Sequence, residues 1–175
     1  PTRSMMGSGV GERTRSETHE MTCPFSGDQL VLLPALNPDV AIIHVQRADA
    51  YGNAQIDGLQ FMDIDIAMAA TKVILTTERL IDNAQIRRTP DQTRIPFFTV
   101  DAVVEVPFGC APHECYGTYE PFFDQMDDYA KQVSADPEQG AANYLKEYFY
   151  DTATWQDYLE KFGIAAMLDA SRRGR

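Results

Sequence analysis

The stretch from Asp39 to Glu78 constrains the fold more than any other part of the chain. Val40-Ala41-Ile42-Ile43-His44-Val45 is a short apolar run rich in β-branched residues, which predicts a buried strand. A polar turn follows, Ala48-Asp49-Ala50-Tyr51-Gly52-Asn53, and then an amphipathic helix near Phe61 to Ala70. Phe61, Ile64 and Met68 are spaced to share one face of that helix. Lys72-Val73-Ile74-Leu75-Thr76-Thr77 predicts a second strand. Strand, helix and strand in this order make a β-α-β unit, the building block of a parallel sheet covered by helices. The expected fold is therefore α/β: an open, mostly parallel sheet flanked by helices, with a helical C-terminal segment. Ligands tend to bind such sheets just beyond the carboxyl ends of the strands, where this polar turn lies.

The 175 residues suit one domain in three segments. Residues 1–29 read as a flexible Gly/Ser-rich leader, 30–130 as the α/β core, and 131–175 as a helical segment of the same domain. Phe97-Phe98-Thr99-Val100 and Ala102-Val103-Val104-Glu105-Val106 read as one bent strand or two short ones. In the last segment Asp136-Pro137 is a helix start, and Thr154 to Asp157 resembles a capping box. The aromatics at helical spacing there, including Tyr144, Tyr148, Trp155, Tyr158 and Phe162, read as packing rather than as a cofactor site.

A net charge of −11 argues against a nucleic-acid partner and against an acidic membrane surface. No apolar run is long enough to span a bilayer. Three sparse cysteines, Cys23, Cys110 and Cys115, suit a reducing compartment, and on that basis a cytoplasmic location is expected. The chain begins at Pro1 without an initiator Met, so it reads as a processed product or as part of a longer polypeptide.

Two loops concentrate chemistry. Asp49-Ala50-Tyr51-Gly52-Asn53 needs no ligand to explain it, since Gly52 and Asn53 both tolerate left-handed geometry and Asp49 can cap the turn. Gly109-Cys110-Ala111-Pro112-His113-Glu114-Cys115-Tyr116-Gly117 is denser in reactive types. It fails as a zinc site because Cys110 and Cys115 are five apart with His113 between them, and no second ligand pair follows. A Cys–His nucleophile pair lacks a nameable orienting group, which leaves a substrate-contacting loop as the better reading. Gly7-Ser8-Gly9 could present backbone N–H groups to an anion, but it is neither a P-loop nor a dinucleotide fingerprint. His44, inside an apolar strand, reads as a satisfied core histidine.

Val40 to Gln46 followed by Ala48-Asp49-x-x-Gly52-Asn53 resembles the strand and turn of family I CoA-transferase α (A) subunits. The likeness continues through Phe61 to Ala70, Glu78, Ile86-Arg87-Arg88-x-Pro90, Ile95-Pro96 and Val100 to Val104. Pro112-His113-Glu114-Cys115-Tyr116-Gly117-x-Tyr119 looks most like the glutaconate CoA-transferase A-type subunits. The resemblance covers roughly residues 30–125 and implies a fold like that of CoA-transferases and ribose-phosphate isomerases. The family's early Gly-Gly-Phe-type loop is not matched, so the chain resembles the later part of such a subunit.

What the resemblance implies is an enzyme subunit that moves CoA between an acyl-CoA and a carboxylic acid. CoA is then a substrate and no cofactor is expected. The family's nucleophile is a glutamate of the β-type partner, so a hetero-oligomer is implied and no catalytic residue is assigned to this chain. Gly7, Ser8, Gly9, Asn53 and His113 are the implied substrate contacts, with Arg47, Arg87, Arg88 and Arg94 as candidate contacts for the CoA phosphates and no metal ligand. A CoA-thioester hydrolase subunit of the same family, acting on a ring-degradation intermediate, is the rival within enzymes. A non-catalytic ligand-binding or regulatory α/β domain is the rival of another class.

Overall fold

The computed structural model describes residues 1–174, which fall into two compact units divided between Asn37 and Pro38. In the first unit, α1 (Gly9–Arg13) is followed by an antiparallel hairpin of β1 (His19–Thr22) and β2 (Gln29–Leu32). The segment 1–29, expected as a flexible Gly/Ser-rich leader, thus contains a short helix and one strand, whose partner β2 begins at its last residue. Ser8 caps the helix, its Oγ accepting the Gly11 N–H at 3.2 Å, and the hairpin closes through the Cys23 N–H donated to the Asp28 carbonyl at 2.7 Å.

The second unit is built on a five-stranded sheet. Its strands are β3 (Val40–Ala48), β4 (Ala54–Gln55), β5 (Lys72–Leu80), β6 (Thr93–Ile95) and β7 (Ala102–Glu105), in the order β6-β4-β3-β5-β7. The long strands pair in parallel, β3 with β5 and β5 with β7, while the two short ones add antiparallel at one edge. Between β3 and β5 runs α2 (Asp63–Ala69), so the expected crossover unit is present.

Two local expectations differ from the structure. The helix meets the core through Ala67, whereas Phe61 and Met68 are 79% and 59% exposed. Phe61 precedes the first helical turn, and the small Ala67 lets a short helix lie close to the sheet. Phe97–Thr99 is a 3-10 turn rather than a strand. The Thr99 hydroxyl donates to the Pro96 carbonyl at 2.9 Å, which folds the segment back before β7 can begin.

Alternation along β3 and β5 gives the sheet two different faces. Ala41, Ile43, Val45, Val73 and Leu75 point into a core completed by Ala48, Ala54, Ala67 and Ile95. Val40, Ile42, His44, Ile74, Thr76 and Glu78 point the other way. There Val40 and Ile42 are exposed, and the segment after β7 lies against His44 and Glu78.

The α-helices that follow are α3 (Asn83–Ile86) after β5, then, beyond the loop after β7, α4 (Phe123–Ala135), α5 (Pro137–Leu145), α6 (Trp155–Glu160) and α7 (Ile164–Arg173). The C-terminal helices begin at Phe123, earlier than the expected 131. Asp136 caps α5 through the Gln139 N–H at 3.0 Å, and Thr154 with Asp157 forms the capping box of α6. A second core gathers Cys115, Tyr119, Phe122 and Ala170, with Phe108, Phe162 and Met167 packed against it. Among the described residues no helix is long and apolar enough to cross a membrane.

Candidate functional site

Register places His44 of β3 beside Thr76 of β5, and Glu78 follows two residues later on the same face. Glu78 is the hub. Its Oε1 accepts from His44 Nε2 at 2.8 Å, from the Tyr119 hydroxyl at 2.7 Å and from the Gly109 N–H at 3.1 Å. Its Oε2 accepts the Phe108 N–H at 2.8 Å. His44 Nδ1 lies 2.9 Å from Thr76 Oγ1, and the Tyr119 hydroxyl accepts the Cys110 N–H at 2.9 Å.

The loop backbone is shaped around this hub. Phe108 takes a left-handed φ of 61°, which costs a non-glycine residue about 1–2 kcal/mol. Its N–H bond to Glu78 and its ring stacked 4.8 Å from Tyr119 offset that strain. Gly109 is required by close approach: a Cβ there would stand 2.4 Å from His44 Cε1. Gly109→Ala is therefore expected to lower stability by roughly 1–3 kcal/mol. A urea midpoint equal to that of the unsubstituted chain would contradict this packing.

Three influences meet at Cys110. The hydrogen bond from Cys115 is the largest and, with His44 against the opposing effect of burial, brings the Cys110 thiol down to about 5. Burial disfavours a charged His44, but hydrogen bonds to Cys110 and Glu78 outweigh it and raise the imidazole to about 9. Burial also opposes the Glu78 charge, and the bonds from His44, Phe108 N–H and Tyr119 hold the carboxyl below its ordinary value. Cys115 is pushed up, first by its bond to Cys110, and Tyr119 is pushed up by burial beside Glu78. All three shifts run toward the charged forms, a Cys110 thiolate, a His44 imidazolium and a Glu78 carboxylate in one chain of contacts.

Spacing within the loop pairs the cysteines with His113, and the apolar strand around His44 marks it as a core residue. The fold instead brings His44 to the cysteines from another strand. Among the described residues, the Nδ1 or Nε2 of His44 and the sulfurs of Cys110 and Cys115 form the group dense enough to hold a metal, all within 4.8 Å. Both His44 nitrogens already have partners, so a metal at this point would displace Thr76 or Glu78. The one signal in the sequence is Glu78, two residues past the register partner of His44 and on the same face of β5.

The other expected site residues are not part of this cluster. Gly7, Ser8 and Gly9 belong to the first unit, where Gly7 has a φ of 68° and Ser8 is spent on capping. Asn53 is anchored at both ends of its amide: Nδ2 donates to Asp49 Oδ2 at 2.9 Å, and Oδ1 accepts the Phe97 N–H at 3.3 Å. His113 is exposed and, with Pro112, borders an apolar groove of about 550 Å³ lined by Met126, Tyr129, Tyr144 and Leu145. Arg47 is held bidentately by Asp57 at 2.6 Å, while Arg87 and Arg88 line a shallow hollow with Asp82 and Asn83.

The parallel sheet with its helical C-terminal segment and the loop laid across its second face define the class. The chain belongs to the coenzyme A transferase family, whose model matches residues 2–106. It is 37% identical over 150 residues to the A-type subunit of the glutaconate CoA-transferase of Acidaminococcus fermentans, covering 83% of this chain and 45% of that one. The solved glutaconate coenzyme A-transferase of that organism superposes with a TM-score of 0.90 at 34% identity, over 97% of this chain and 58% of its own. A cholesterol ring-cleaving hydrolase subunit of Mycobacterium tuberculosis is 28% identical over 179 residues, covering 94% of this chain and 59% of that protein. The chain spans about half the length of the curated relatives it matches.

Proposed function

We propose that this chain is the A-type portion of an enzyme that moves CoA between an acyl-CoA and a carboxylic acid, working with a β-type partner that supplies a nucleophilic glutamate. In such an exchange the partner carboxylate attacks the acyl-CoA and gives a mixed anhydride, which the CoA thiolate reopens to an enzyme–CoA thioester. A second carboxylic acid then resolves that thioester. A carboxylate suits this task because its acyl adduct is reactive enough to be reopened. Donors placed where the tetrahedral oxyanion forms lower each barrier.

The observation that carries the assignment of the nucleophile elsewhere is Glu78. A buried carboxylate that accepts four hydrogen bonds, with its basicity depressed, is a poor nucleophile. The chain then contributes cleft wall and orientation. His113, exposed beside an apolar groove, is the leading side-chain contact for an acyl group. Gly7, Ser8, Gly9 and Asn53 contribute through backbone groups and turn shape.

The test is to assemble the chain with a β-type partner, then follow CoA transfer from a dicarboxylic acyl-CoA to free acetate. The expected result is acyl-CoA exchange that requires the acceptor. Release of free acid at the same rate without acceptor favours the hydrolase reading. A chain that stays a monomer and never associates with a β-type partner contradicts both and favours a ligand-binding domain.

A further inference from the structure

We propose that Cys110 is an oxidative modification site, at which a hydroperoxide converts the sulfur to a sulfenic acid that Cys115 then captures as an intramolecular disulfide. The geometry supplies each part. Cys110 is intermediate in exposure at the start of its loop, whereas Cys115 is 4% exposed and needs only to meet Cys110. Their sulfurs and a His44 nitrogen lie within 4.8 Å of one another. The Cys110 backbone is fixed by Tyr119, and His44 is fixed by Glu78 and Thr76. A thiolate beside an imidazolium, with a second thiol at hand, is the arrangement that redox-sensitive cysteines share.

The steps balance. The Cys110 thiolate attacks the distal oxygen of the hydroperoxide and the O–O bond breaks. The leaving alkoxide, or hydroxide from hydrogen peroxide, takes the His44 proton, and the peroxide hydrogen stays on the sulfenic acid. Sulfur is oxidised by two electrons and the peroxide is reduced to an alcohol or water. The Cys115 thiol then attacks the Cys110 sulfur, an S–S bond forms and water leaves. The product removes the thiolate that faced His44 and ties together the two ends of the segment carrying Pro112 and His113. This chemistry is independent of the CoA-transfer reading, since it needs no partner and no acyl-CoA.

The experiment treats the full, reduced chain with hydrogen peroxide in the presence of a chelator and maps the products by peptide mass spectrometry. The expected product is a Cys110–Cys115 peptide lighter by two hydrogens, formed before any change at Cys23. In Cys115→Ser the reaction stops at the sulfenic acid, trapped by dimedone on Cys110. The unsubstituted chain is expected to react at a nearly constant rate between about pH 6 and pH 8, and His44→Gln roughly ten-fold or more slowly near pH 7. If His44→Gln does not fold, the pH profile of the unsubstituted chain decides alone. Oxidation of Cys23 ahead of Cys110, absence of the disulfide, or a rate that climbs with the ordinary thiol ionisation near ~8.5 overturns the proposal.

Discussion

Replacing Glu78 with alanine is expected to lower the free energy of unfolding by about 3–5 kcal/mol, the largest effect of a single substitution in this chain. The carboxylate is 8% exposed and is the common acceptor of one imidazole, one phenol and two backbone N–H groups. Alanine leaves all four without their partner in a place water reaches poorly, and it removes the counter-charge of a buried imidazolium. Glu78→Gln preserves the shape but turns an amide NH₂ toward donors, so His44 should lose much of its elevated basicity. Urea titration gives the stability change, and the His44 ring protons followed by NMR give the titration. A loss under about 1 kcal/mol in the alanine variant would mean that the hub is not a hub.

The pH dependence of the cluster follows from three shifts. His44, raised from 6.5 to about 9, contributes stability that is fully present below 6.5 and lost as pH rises through 9. Cys110, lowered from 9.0 to about 5, contributes stability that is present above 9.0 and lost as pH falls through 5. The two slopes oppose each other where both groups titrate. Their joint contribution therefore rises from about pH 5 to pH 6.5 and is then level to about pH 9. Glu78, with a depressed carboxyl, adds stability above its ordinary range that is lost in acid. A stability profile that falls steadily across neutral pH in the unsubstituted chain, and not in Cys110→Ser, would reverse these signs.

Asp49→Ala has the second largest expected effect, a loss of about 2–4 kcal/mol. Asp49 is 1% exposed at the carboxyl end of β3. Its Oδ1 accepts the N–H groups of Tyr51 at 3.0 Å and Asn53 at 2.9 Å, and its Oδ2 accepts from the amides of Asn53 at 2.9 Å and Asn83 at 2.7 Å. One side chain thus closes the turn and ties it to α3. Burial opposes its charge, and the Asn83 and Asn53 bonds prevail to keep the carboxyl below its ordinary value. Its contribution is complete above the usual carboxylate range and disappears as pH falls through the depressed value. Asp49→Asn keeps an acceptor and should recover part of the loss. Equal urea midpoints for the alanine variant and the unsubstituted chain would contradict this role.

The parallel sheet was legible because β3 and β5 are long apolar runs with a turn and a helix between them, and a crossover helix returns the chain in the same direction. The caps at Asp136 and Thr154 were legible for a similar reason, since a cap is a local contract between neighbours in sequence. The face of α2 was not: the helix runs only from Asp63 to Ala69, which leaves Phe61 outside it, and the sheet buries the small Ala67 rather than the larger residues. Phe97–Thr99 misled for the opposite reason, because aromatic and β-branched residues predict a strand even where a side-chain bond to Pro96 curls the backbone.

The chemistry-bearing cluster was hidden by sequence distance. Cys110 meets His44, far earlier in the chain, only because β3 and β5 run parallel in register and the loop after β7 folds back over them. Spacing within the loop pointed to His113, whose side chain is exposed beside the groove instead. Gly109 could have offered a hint, because a glycine next to a cysteine permits the backbone to approach a ring.

The most direct test of the central claim locates the enzyme–CoA thioester. The chain, assembled with a candidate β-type partner, is incubated with acyl-CoA alone, and the adduct is reduced with borohydride and mapped by peptide mass spectrometry. The modified residue is expected to be a glutamate of that partner, with Glu78 and every other glutamate of this chain unmodified. A CoA-derived adduct on Glu78, or on any carboxylate between Pro1 and Arg175, would contradict it.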